Sequence, residues 1–225
     1  MIQDLLLIFL AISGLLISIS LHESAHAWVA NRLGDPTARL LGRISLNPAD
    51  HIDPIGTILL PLTMLLLGGP MIGWAKPTPF NPWNLENPKR DSALISLAGP
   101  VSNFLLAAIC ALPIRFGFVP FLNPFGVANP GNVFTLLQPV EKLGFLLSGM
   151  IMLNIILGIF NLIPIHPLDG FKVVGGLLSR NLYYRWLELE KYGTILLLTL
   201  LILGGGIISA IITPLMALLL KLMVG

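Results

Sequence analysis

The stretch Leu5–Leu21, LLLIFLAISGLLISISL, contains no charged residue, and the sequence His22-Glu23-Ser24-Ala25-His26 follows it directly. An apolar run of about 20 residues is long enough to cross a lipid bilayer as a helix. Polar side chains at membrane depth are costly and are usually kept for a function. These five residues are therefore the first candidates for a functional site.

The spacing of the two histidines is typical of a metal site. His22 and His26 are four residues apart, so a helix places both imidazoles on one face, where they can bind one ion. In the HExxH arrangement the glutamate, here Glu23, does not bind the metal but takes a proton from the attacking water molecule. The pattern indicates metal-dependent amide hydrolysis. A hydrogen-bonded pair of intramembrane histidines and a bis-histidine haem site are the alternatives.

Composition indicates a membrane protein with several spans. Hydrophobic residues make up 55% of the 225 residues and charged residues 11%, with a mean hydropathy of +0.87. The net charge of +2 comes without a basic run, which gives no support for nucleic acid binding. Cys110 is the only cysteine, so a disulfide framework is excluded. We expect one intramembrane domain over residues 1–225, with the lipid bilayer as a partner.

Five apolar segments are candidates for membrane insertion: Leu5–Val29, Ile55–Leu67, Ala93–Leu112, Leu143–Phe160 and Thr194–Ile212, with a short apolar tail after Pro214. The second segment is short, contains Pro61 and ends in Gly68-Gly69-Pro70. This pattern is typical of a re-entrant segment that enters and leaves the membrane on one side.

The distribution of basic residues also favours a re-entrant second segment. If that segment crossed the membrane, Lys and Arg would divide almost evenly between the two sides. If it returns, only Arg115 and Lys142 lie on one side, apart from Lys221 near the end of the chain. The positive-inside rule then places the remaining ten in the cytoplasm: Arg32, Arg39, Arg43, Lys76, Lys89, Arg90, Lys172, Arg180, Arg185 and Lys191.

Asp169 is the candidate for a third metal ligand. Catalytic zinc is usually bound by three protein ligands and keeps an open position. The fourth segment leads into Asn161-Leu-Ile-Pro164-Ile-His166-Pro167-Leu-Asp169-Gly170, where the prolines interrupt the helix. In the re-entrant topology Asp169 reaches the side of the membrane where the histidines lie. The alternative is that Asp169 caps a helix starting near Phe171.

Three separated motifs resemble one known family. HESAH, Ala98-Gly99-Pro100-Val101-Ser102-Asn103 and the stretch from Asn161 to Gly170 together look like the site-2 protease family of intramembrane zinc metalloproteases. The resemblance implies a multi-pass protein of the cell membrane that cleaves a transmembrane segment of another membrane protein near the cytoplasmic face, in regulated intramembrane proteolysis. It also implies that His22, His26 and Asp169 bind one zinc ion and that Glu23 is the general base.

The same resemblance suggests further roles. Asn161 would hold the substrate backbone or the developing oxyanion. Asn103 is a weaker candidate for substrate binding, with an interhelical hydrogen bond as the alternative. His166 stands where the family commonly has proline; we expect it and His51 to face water, with a fourth-ligand role as the alternative.

A substrate helix must unwind before it is cut, and its freed backbone groups need partners. Residues 38–47 alternate loosely around Gly42, and we expect them to form a small β-hairpin at the membrane edge. Ile44, Ser45 and Leu46 would then bind the unwound substrate by β-augmentation, so proline at Ser45 should reduce cleavage without removing zinc. The predicted fold is an all-α transmembrane bundle with a re-entrant segment and this hairpin.

The loop Gly73–Trp83 carries two tryptophans and three prolines. It is expected at the level of the lipid headgroups, either as an anchor or as a gate.

Two other functions fit parts of the pattern. A metal or proton transporter also carries intramembrane His and Asp, but its polar residues would extend through several helices. A membrane zinc protease of another family would use a glutamate as the third ligand. The candidates Glu86, Glu141, Glu188 and Glu190 all lie in loops or at segment ends.

Overall fold

The computed structural model describes residues 2–59, 63, 75–124, 134 and 136–225. Within these residues the regular structure is helical. The α-helices are α1 (Ile2–Arg32), α2 (Thr37–Leu40), α3 (Pro88–Arg115), α4 (Pro139–Asn161), α5 (Asp169–Leu177), α6 (Arg180–Leu187), α7 (Glu190–Leu203) and α8 (Gly205–Val224). Short 3-10 turns cover Pro48–Asp50 and Pro82–Asn84, and a π-helical turn covers Pro54–Leu59.

Four of the described helices are long and apolar enough to cross a membrane: Leu6–Arg32, Pro88–Arg115, Pro139–Asn161 and Gly205–Val224. Large apolar side chains such as Phe9 and Ile109 point away from the protein. Lipid tails solvate such side chains, so an outward apolar surface is expected for a membrane bundle. The chain is therefore a multi-pass membrane protein.

Helix α3 lies at the centre of the bundle and packs against α1, α4 and α5. Its contact with α4 is built from small side chains, Ala107 and Ala111, against Ile151 and Ile155. Small residues let two membrane helices approach closely, which increases their van der Waals contact.

A buried polar network joins the three central spans. The Asn103 amide nitrogen on α3 donates to Asn154 Oδ1 on α4 at 2.9 Å, and the Asn154 amide donates to Ser18 Oγ on α1, also at 2.9 Å. None of the three side chains is exposed. Such hydrogen bonds are each worth about 1 kcal/mol in membranes and fix which helix faces meet.

The chain leaves α1 and enters α3 at the same end of the bundle. Asp35, just after α1, is buried and accepts hydrogen bonds from the Asn81 backbone N–H and the Asn84 side-chain amide, both at 2.7 Å. Burial alone would raise the pKa of the Asp35 carboxyl, but hydrogen bonds from Thr37, Asn84 and Asn81 outweigh burial and lower it. Asp35 thereby ties the two ends of this connection together.

The predicted re-entrant segment, residues 55–67, is described in part. Its beginning belongs to the π-helical turn Pro54–Leu59. The Asp53 side chain caps the N-terminus of this turn by accepting hydrogen bonds from the backbone N–H groups of Ile55 and Gly56. Residues 60–62 and 64–67 lie outside the described residues, as do Gly73 and Trp74 of the predicted interfacial loop.

The predicted β-hairpin at residues 38–47 is wrong, because the described part of the chain contains no strand. Residues 37–40 form α2, and Gly42 ends this helix with a φ of +71° rather than turning a hairpin. After Arg43 the chain forms neither helix nor strand up to Asn47, and the backbone groups of Ser45 bond to the side chains of Ser24 and His51. A second strand is not needed to satisfy these groups.

The predicted fifth span, Thr194–Ile212, is also divided differently. The helix breaks at Gly204, whose backbone leaves the helical region with φ −103° and ψ 21°. The next helix begins at Gly205 and continues through Pro214 to Val224, so the predicted tail belongs to a full-length span. Three consecutive glycines, Gly204-Gly205-Gly206, weaken the helix at this point, because glycine loses more conformational freedom in a helix than any other residue.

Candidate active site

Three candidate metal ligands from two distant parts of the chain meet in the structure. His22 and His26 lie one turn apart on α1, and Asp169 is the first residue of α5. Asp169 Oδ2 lies 3.1 Å from His22 Nε2 and 3.3 Å from His26 Nε2. Among the described residues these three form the one group of His, Cys, Asp or Glu arranged to hold a metal ion.

The spacing of the ligand atoms fits a tetrahedral zinc ion. Zinc binds imidazole nitrogen and carboxylate oxygen at about 2.0–2.2 Å, so two ligands of a tetrahedral ion lie about 3.4 Å apart. The distances of 3.1 and 3.3 Å between the carboxylate and the two imidazoles are close to this value. Two nitrogens and one oxygen are also a donor set that catalytic zinc uses.

The second ring nitrogen of each histidine is held by a hydrogen-bond acceptor. His22 Nδ1–H donates to Asn103 Oδ1, and His26 Nδ1–H donates to the backbone carbonyl of Ile95, both at 2.6 Å. A proton on Nδ1 leaves the lone pair on Nε2, the atom that faces Asp169. Such partners fix the tautomer and ring orientation of metal-binding histidines.

Gly99 makes room for the two imidazoles. A Cβ atom at this position of α3 would lie 2.5 Å from His22 Nε2 and would also overlap His26 Nε2. Any larger residue would push α3 away from α1 or turn the rings. The glycine of the Gly99-Pro100 motif is therefore part of the site's construction.

The proline-rich turn after α4 delivers Asp169. Gly170 brings the start of α5 against the backbone of this turn, since a Cβ there would lie 2.6 Å from the Ile163 carbonyl. Asp169 makes no capping hydrogen bond to α5, in contrast to the helix-cap alternative.

Glu23 lines a cleft beside the ligands. A cavity of about 130 Å³ is bordered by the three ligands, Glu23 and Asn161. Glu23 Oε2 accepts a hydrogen bond of 2.8 Å from the Thr78 backbone N–H, and Thr78 Oγ1 donates to the Glu23 carbonyl at 3.1 Å. The carboxylate therefore lies next to the ligand group in a fixed position.

Two asparagines that were predicted to bind substrate occupy different environments. Asn161 lines the cleft, and one of its amide hydrogens is donated to Leu157 within α4 at 2.9 Å. Its other amide hydrogen and its oxygen are free of hydrogen bonds in the described structure. Asn103 is 0% exposed and bonds to His22 and Asn154, which is the geometry of the interhelical alternative.

The segment of Ile44, Ser45 and Leu46 passes beside HESAH. Ser24 Oγ donates to the Ser45 carbonyl, which also accepts from His51 Nε2 at 2.7 Å. The side chains of Ile44 and Leu46 are 39% and 69% exposed. The backbone groups of Ser45 thus bond to the protein, whereas no described hydrogen bond uses the backbone of Ile44 or Leu46.

The other two histidines lie away from the ligand group. His51 was predicted to face water, and this is wrong: the side chain is 2% exposed, because it supplies the donor that the Ser45 carbonyl needs. His166 is partly exposed, and its Nδ1 lies 3.5 Å from Glu190 Oε1. Neither belongs to the group that could hold a metal.

Thr78 and Lys172 also border the cleft, and neither was predicted as a site residue. Thr78 lies between Pro77 and Pro79, and the motif Pro-Thr-Pro was its only indication. Lys172 borders the cleft from α5, one turn after Asp169, and its Nζ lies 4.5 Å from the centre of the Phe80 ring. Its spacing of three from Asp169 on a helix could have placed it there.

The family profile and the related proteins that match this chain are all metalloproteases. The profile of Peptidase family M50 matches residues 10–204. A Bacillus subtilis (strain 168) protein named as a zinc metalloprotease, YwhC, is 36% identical over 192 residues, which cover 85% of this chain and 80% of the relative. Rip2 of Mycolicibacterium smegmatis, also named as a zinc metalloprotease, is 29% identical over 86% of this chain and 66% of its own length.

Rip2 of Mycobacterium tuberculosis is 31% identical over 73% of this chain and 56% of its own length. No solved structure gives a significant match. The family match covers most of the chain, including HESAH, the Gly99 motif and Asp169. The resemblance inferred from the motifs is thereby confirmed, and the chain belongs to Peptidase family M50, the site-2 protease family of metalloproteases.

Proposed function

We propose that this protein is an intramembrane zinc metalloendopeptidase that hydrolyses a peptide bond within or near a transmembrane segment of a membrane-protein substrate. The observation that carries the proposal is that two of the three metal ligands lie inside a candidate membrane span, Leu6–Arg32. A protease whose metal ligands lie inside a membrane span can cleave only peptide bonds that reach the same depth in the membrane. Family membership supports the chemistry, and the position of the ligands supports the intramembrane substrate.

The depth of the ligands follows from helix geometry. His26 and His22 lie six and ten residues before Arg32, the end of the span. At about 1.5 Å per residue, this places them roughly 9 and 15 Å along the helix axis from its end. The hydrocarbon core of a bilayer is about 30 Å thick. The site therefore lies between the surface and the middle of the membrane.

We propose that His22, His26 and Asp169 hold one zinc ion, in agreement with the names of the relatives. When bound, zinc polarises a carbonyl group and lowers the pKa of water from about 15.7 to about 7. Asn103 and the Ile95 carbonyl keep both imidazoles in the tautomer that presents Nε2 to the ion.

Glu23 acts as general base and then as general acid. Its carboxylate borders the cleft beside the ligand group and is within reach of a water molecule there. It takes the proton of the attacking water and passes it to the nitrogen of the leaving amine. Asn161 borders the same cleft with a free amide hydrogen, which can donate to the carbonyl oxygen of the scissile bond as negative charge develops on it.

Residues Ile44–Leu46 bind the unwound substrate in this proposal. Among the described residues no hydrogen bond uses the backbone of Ile44 or Leu46, and both side chains are exposed beside the helix that carries Glu23. A substrate strand can pair with these backbone groups even though the described part of the chain contains no hairpin. This edge would satisfy backbone groups that the substrate loses when its helix opens.

The active site faces the cytoplasm in this proposal. The end of α1, the described parts of the connection to α3, the start of α3, helices α5 and α6 and the start of α7 lie at the site's end of the bundle, and they carry ten of the thirteen Lys and Arg residues. Arg115 lies at the opposite end of α3. The positive-inside rule assigns the basic end to the cytoplasm.

The alternatives from the sequence receive less support. A transporter would need polar groups along a path, whereas the described polar groups gather around His22 and Asn103. A protease with a glutamate as third ligand would need a second glutamate, in addition to Glu23, next to the two histidines. Among the described residues the third member of the candidate ligand group is Asp169.

The test compares cells that produce the wild-type protein with cells that produce Glu23→Gln. New protein termini in the membrane fraction are mapped by mass spectrometry. We expect wild-type-specific termini within or a few residues from transmembrane segments, and we expect Glu23→Gln to keep zinc. Termini confined to soluble domains, or undiminished cleavage by the variant, would contradict the proposal.

A further inference from the structure

Residues 76–81 form neither helix nor strand, and three of them, Pro77, Thr78 and Phe80, border the cleft; we name this segment the strap. Its first residue, Lys76, donates its backbone N–H to the His51 carbonyl at 2.9 Å. Its last residue, Asn81, donates its backbone N–H to Asp35 Oδ2 at 2.7 Å. His51 and Asp35, which accept these two hydrogen bonds, are both buried. The strap is therefore fixed at both ends to the connection that follows α1.

The middle of the strap contacts the catalytic helix. Thr78 donates its backbone N–H to Glu23 Oε2 at 2.8 Å and its hydroxyl to the Glu23 backbone carbonyl at 3.1 Å. Pro77 and Pro79 flank Thr78, and proline has no N–H. Thr78 therefore supplies the one amide donor of this tripeptide, and that donor is used on Glu23.

The prolines also restrict the backbone that presents this donor. A residue that precedes proline is confined to extended conformations, and proline itself has a fixed φ near −65°. The N–H of Thr78 is thus held in direction by the chain on both sides as well as by the two anchors. A donor that is ordered in advance loses little entropy when it orients a side chain.

We propose that Thr78 is a positioning residue for hydrolysis. Its amide holds one oxygen of the Glu23 carboxylate, so that the other oxygen remains for the attacking water. The inference rests on the proposed role of Glu23 as the base. Glutamate has three side-chain torsions, and without this contact the carboxylate would sample positions from which the proton cannot be taken. Misplacement of a reacting group by about 1 Å can reduce the rate about 100-fold.

The strap has a competing interpretation as an autoinhibitory lid. Pro77 and Phe80 also border the cleft, so a strap that moved away would widen it. The two anchors at Lys76 and Asn81 and the double contact of Thr78 favour a fixed wall. The interpretations predict opposite effects of losing the Thr78 amide: a fixed wall predicts slower turnover, and a lid predicts faster turnover.

The experiment removes the amide donor while keeping the extended backbone. Thr78→Pro lacks the N–H, and Thr78→Val keeps the N–H but lacks the hydroxyl. Both are compared with wild type in proteoliposomes, with a fluorophore–quencher transmembrane peptide that carries a cleavage sequence from the terminus mapping. The readouts are kcat, KM, bound zinc per chain and thermal unfolding temperature.

We expect Thr78→Pro to lower kcat about 10–100-fold, with KM changed less than about threefold, since binding does not use the amide. Zinc content should stay at the wild-type level. Thr78→Val should lose less than about threefold in kcat, because the hydrogen bond from the amide to the Glu23 carboxylate remains.

A backbone ester in place of the amide at residue 78 also removes the N–H but keeps the threonine side chain. It should reproduce the result of Thr78→Pro if that variant fails to fold.

Unchanged or increased kcat in the proline and ester variants would overturn the inference, and an increase would identify a lid. Equal losses in Thr78→Pro and Thr78→Val, or loss of zinc, would also overturn it by showing a general structural role. These outcomes are distinct from failure of the proposed function. That failure would appear as full activity of Glu23→Gln, whatever residue 78 does.

Discussion

Gly99→Ala should remove the metal site although it adds only one methyl group. The new Cβ would lie 2.5 Å from His22 Nε2, and ordinary contact begins at 3.4 Å, so the ring must withdraw by about 0.9 Å. His26 Nε2 is overlapped by the same atom. Functional metal sites tolerate deviations of only about 0.2 Å in ligand distance. The forced shift is several times larger and affects two of three ligands at once.

We therefore expect zinc affinity to fall at least about 100-fold, since loss of a hydrogen-bond partner of a metal ligand already costs about 10–100-fold. The assay is zinc stoichiometry by elemental analysis, followed by competition with a chelator of known affinity. Gly149→Ala is the matched control, because its Cβ would meet Pro124 Cγ at 3.6 Å, an ordinary contact in another span. Wild-type zinc affinity in Gly99→Ala would refute the reasoning.

Three further predictions test the surroundings of the site. Asn103→Leu should weaken zinc binding about 10–100-fold by freeing the tautomer of His22, and chelator competition should show a smaller effect for Asn154→Leu, which leaves the His22 contact intact. Asp35→Ala should lower the free energy of unfolding in detergent by about 3 kcal/mol, since buried donors lose a charged acceptor. The pKa of Asp35 in the folded protein lies below its ordinary 3.8. The contribution of its carboxylate to the free energy of unfolding is therefore present above pH 3.8 and is lost as pH falls below that value. The difference in thermal unfolding temperature between wild type and variant should shrink there, and a constant difference would count against the assignment. Leu46→Pro should reduce cleavage without loss of zinc, whereas Leu46→Ala should retain most activity; equal activity of the two would remove the backbone-pairing role.

The meeting of His22, His26 and Asp169 as a candidate ligand group could be predicted, because it depends on short spacings and on few available residues. His22 and His26 are one helical turn apart whatever surrounds them, and a carboxylate at a proline-rich break leaves few alternatives to Asp169. The re-entrant topology predicted Asp169 at the same end of the bundle as the histidines, and in the structure Asp169 Oδ2 lies 3.1 Å from His22 Nε2.

The features that were missed depend on how separate segments meet. Gly99 matters because α3 approaches α1 at that point, and Thr78 matters because the strap crosses Glu23. The hairpin was expected from local alternation around Gly42, but Ser24 and His51 satisfy Ser45 from elsewhere in the chain. Side-chain partners distant in sequence decide such loops, and local patterns do not contain them.

The break at Gly204 shows a different limit. Hydropathy predicted one span over Thr194–Ile212 because the residues before and after Gly204 are equally apolar. A membrane span and two helices joined at a glycine have the same composition, so only the packing of the chain distinguishes them.

The central claim is that one zinc ion is held by His22, His26 and Asp169 below the membrane surface. Zinc K-edge absorption spectroscopy on the purified protein and on Asp169→Ala tests it most directly. We predict one zinc per wild-type chain with two imidazoles and oxygen ligands at about 2.0–2.2 Å, and loss of the ion or of one oxygen ligand in the variant. An identical zinc content and ligand shell in Asp169→Ala would contradict the account.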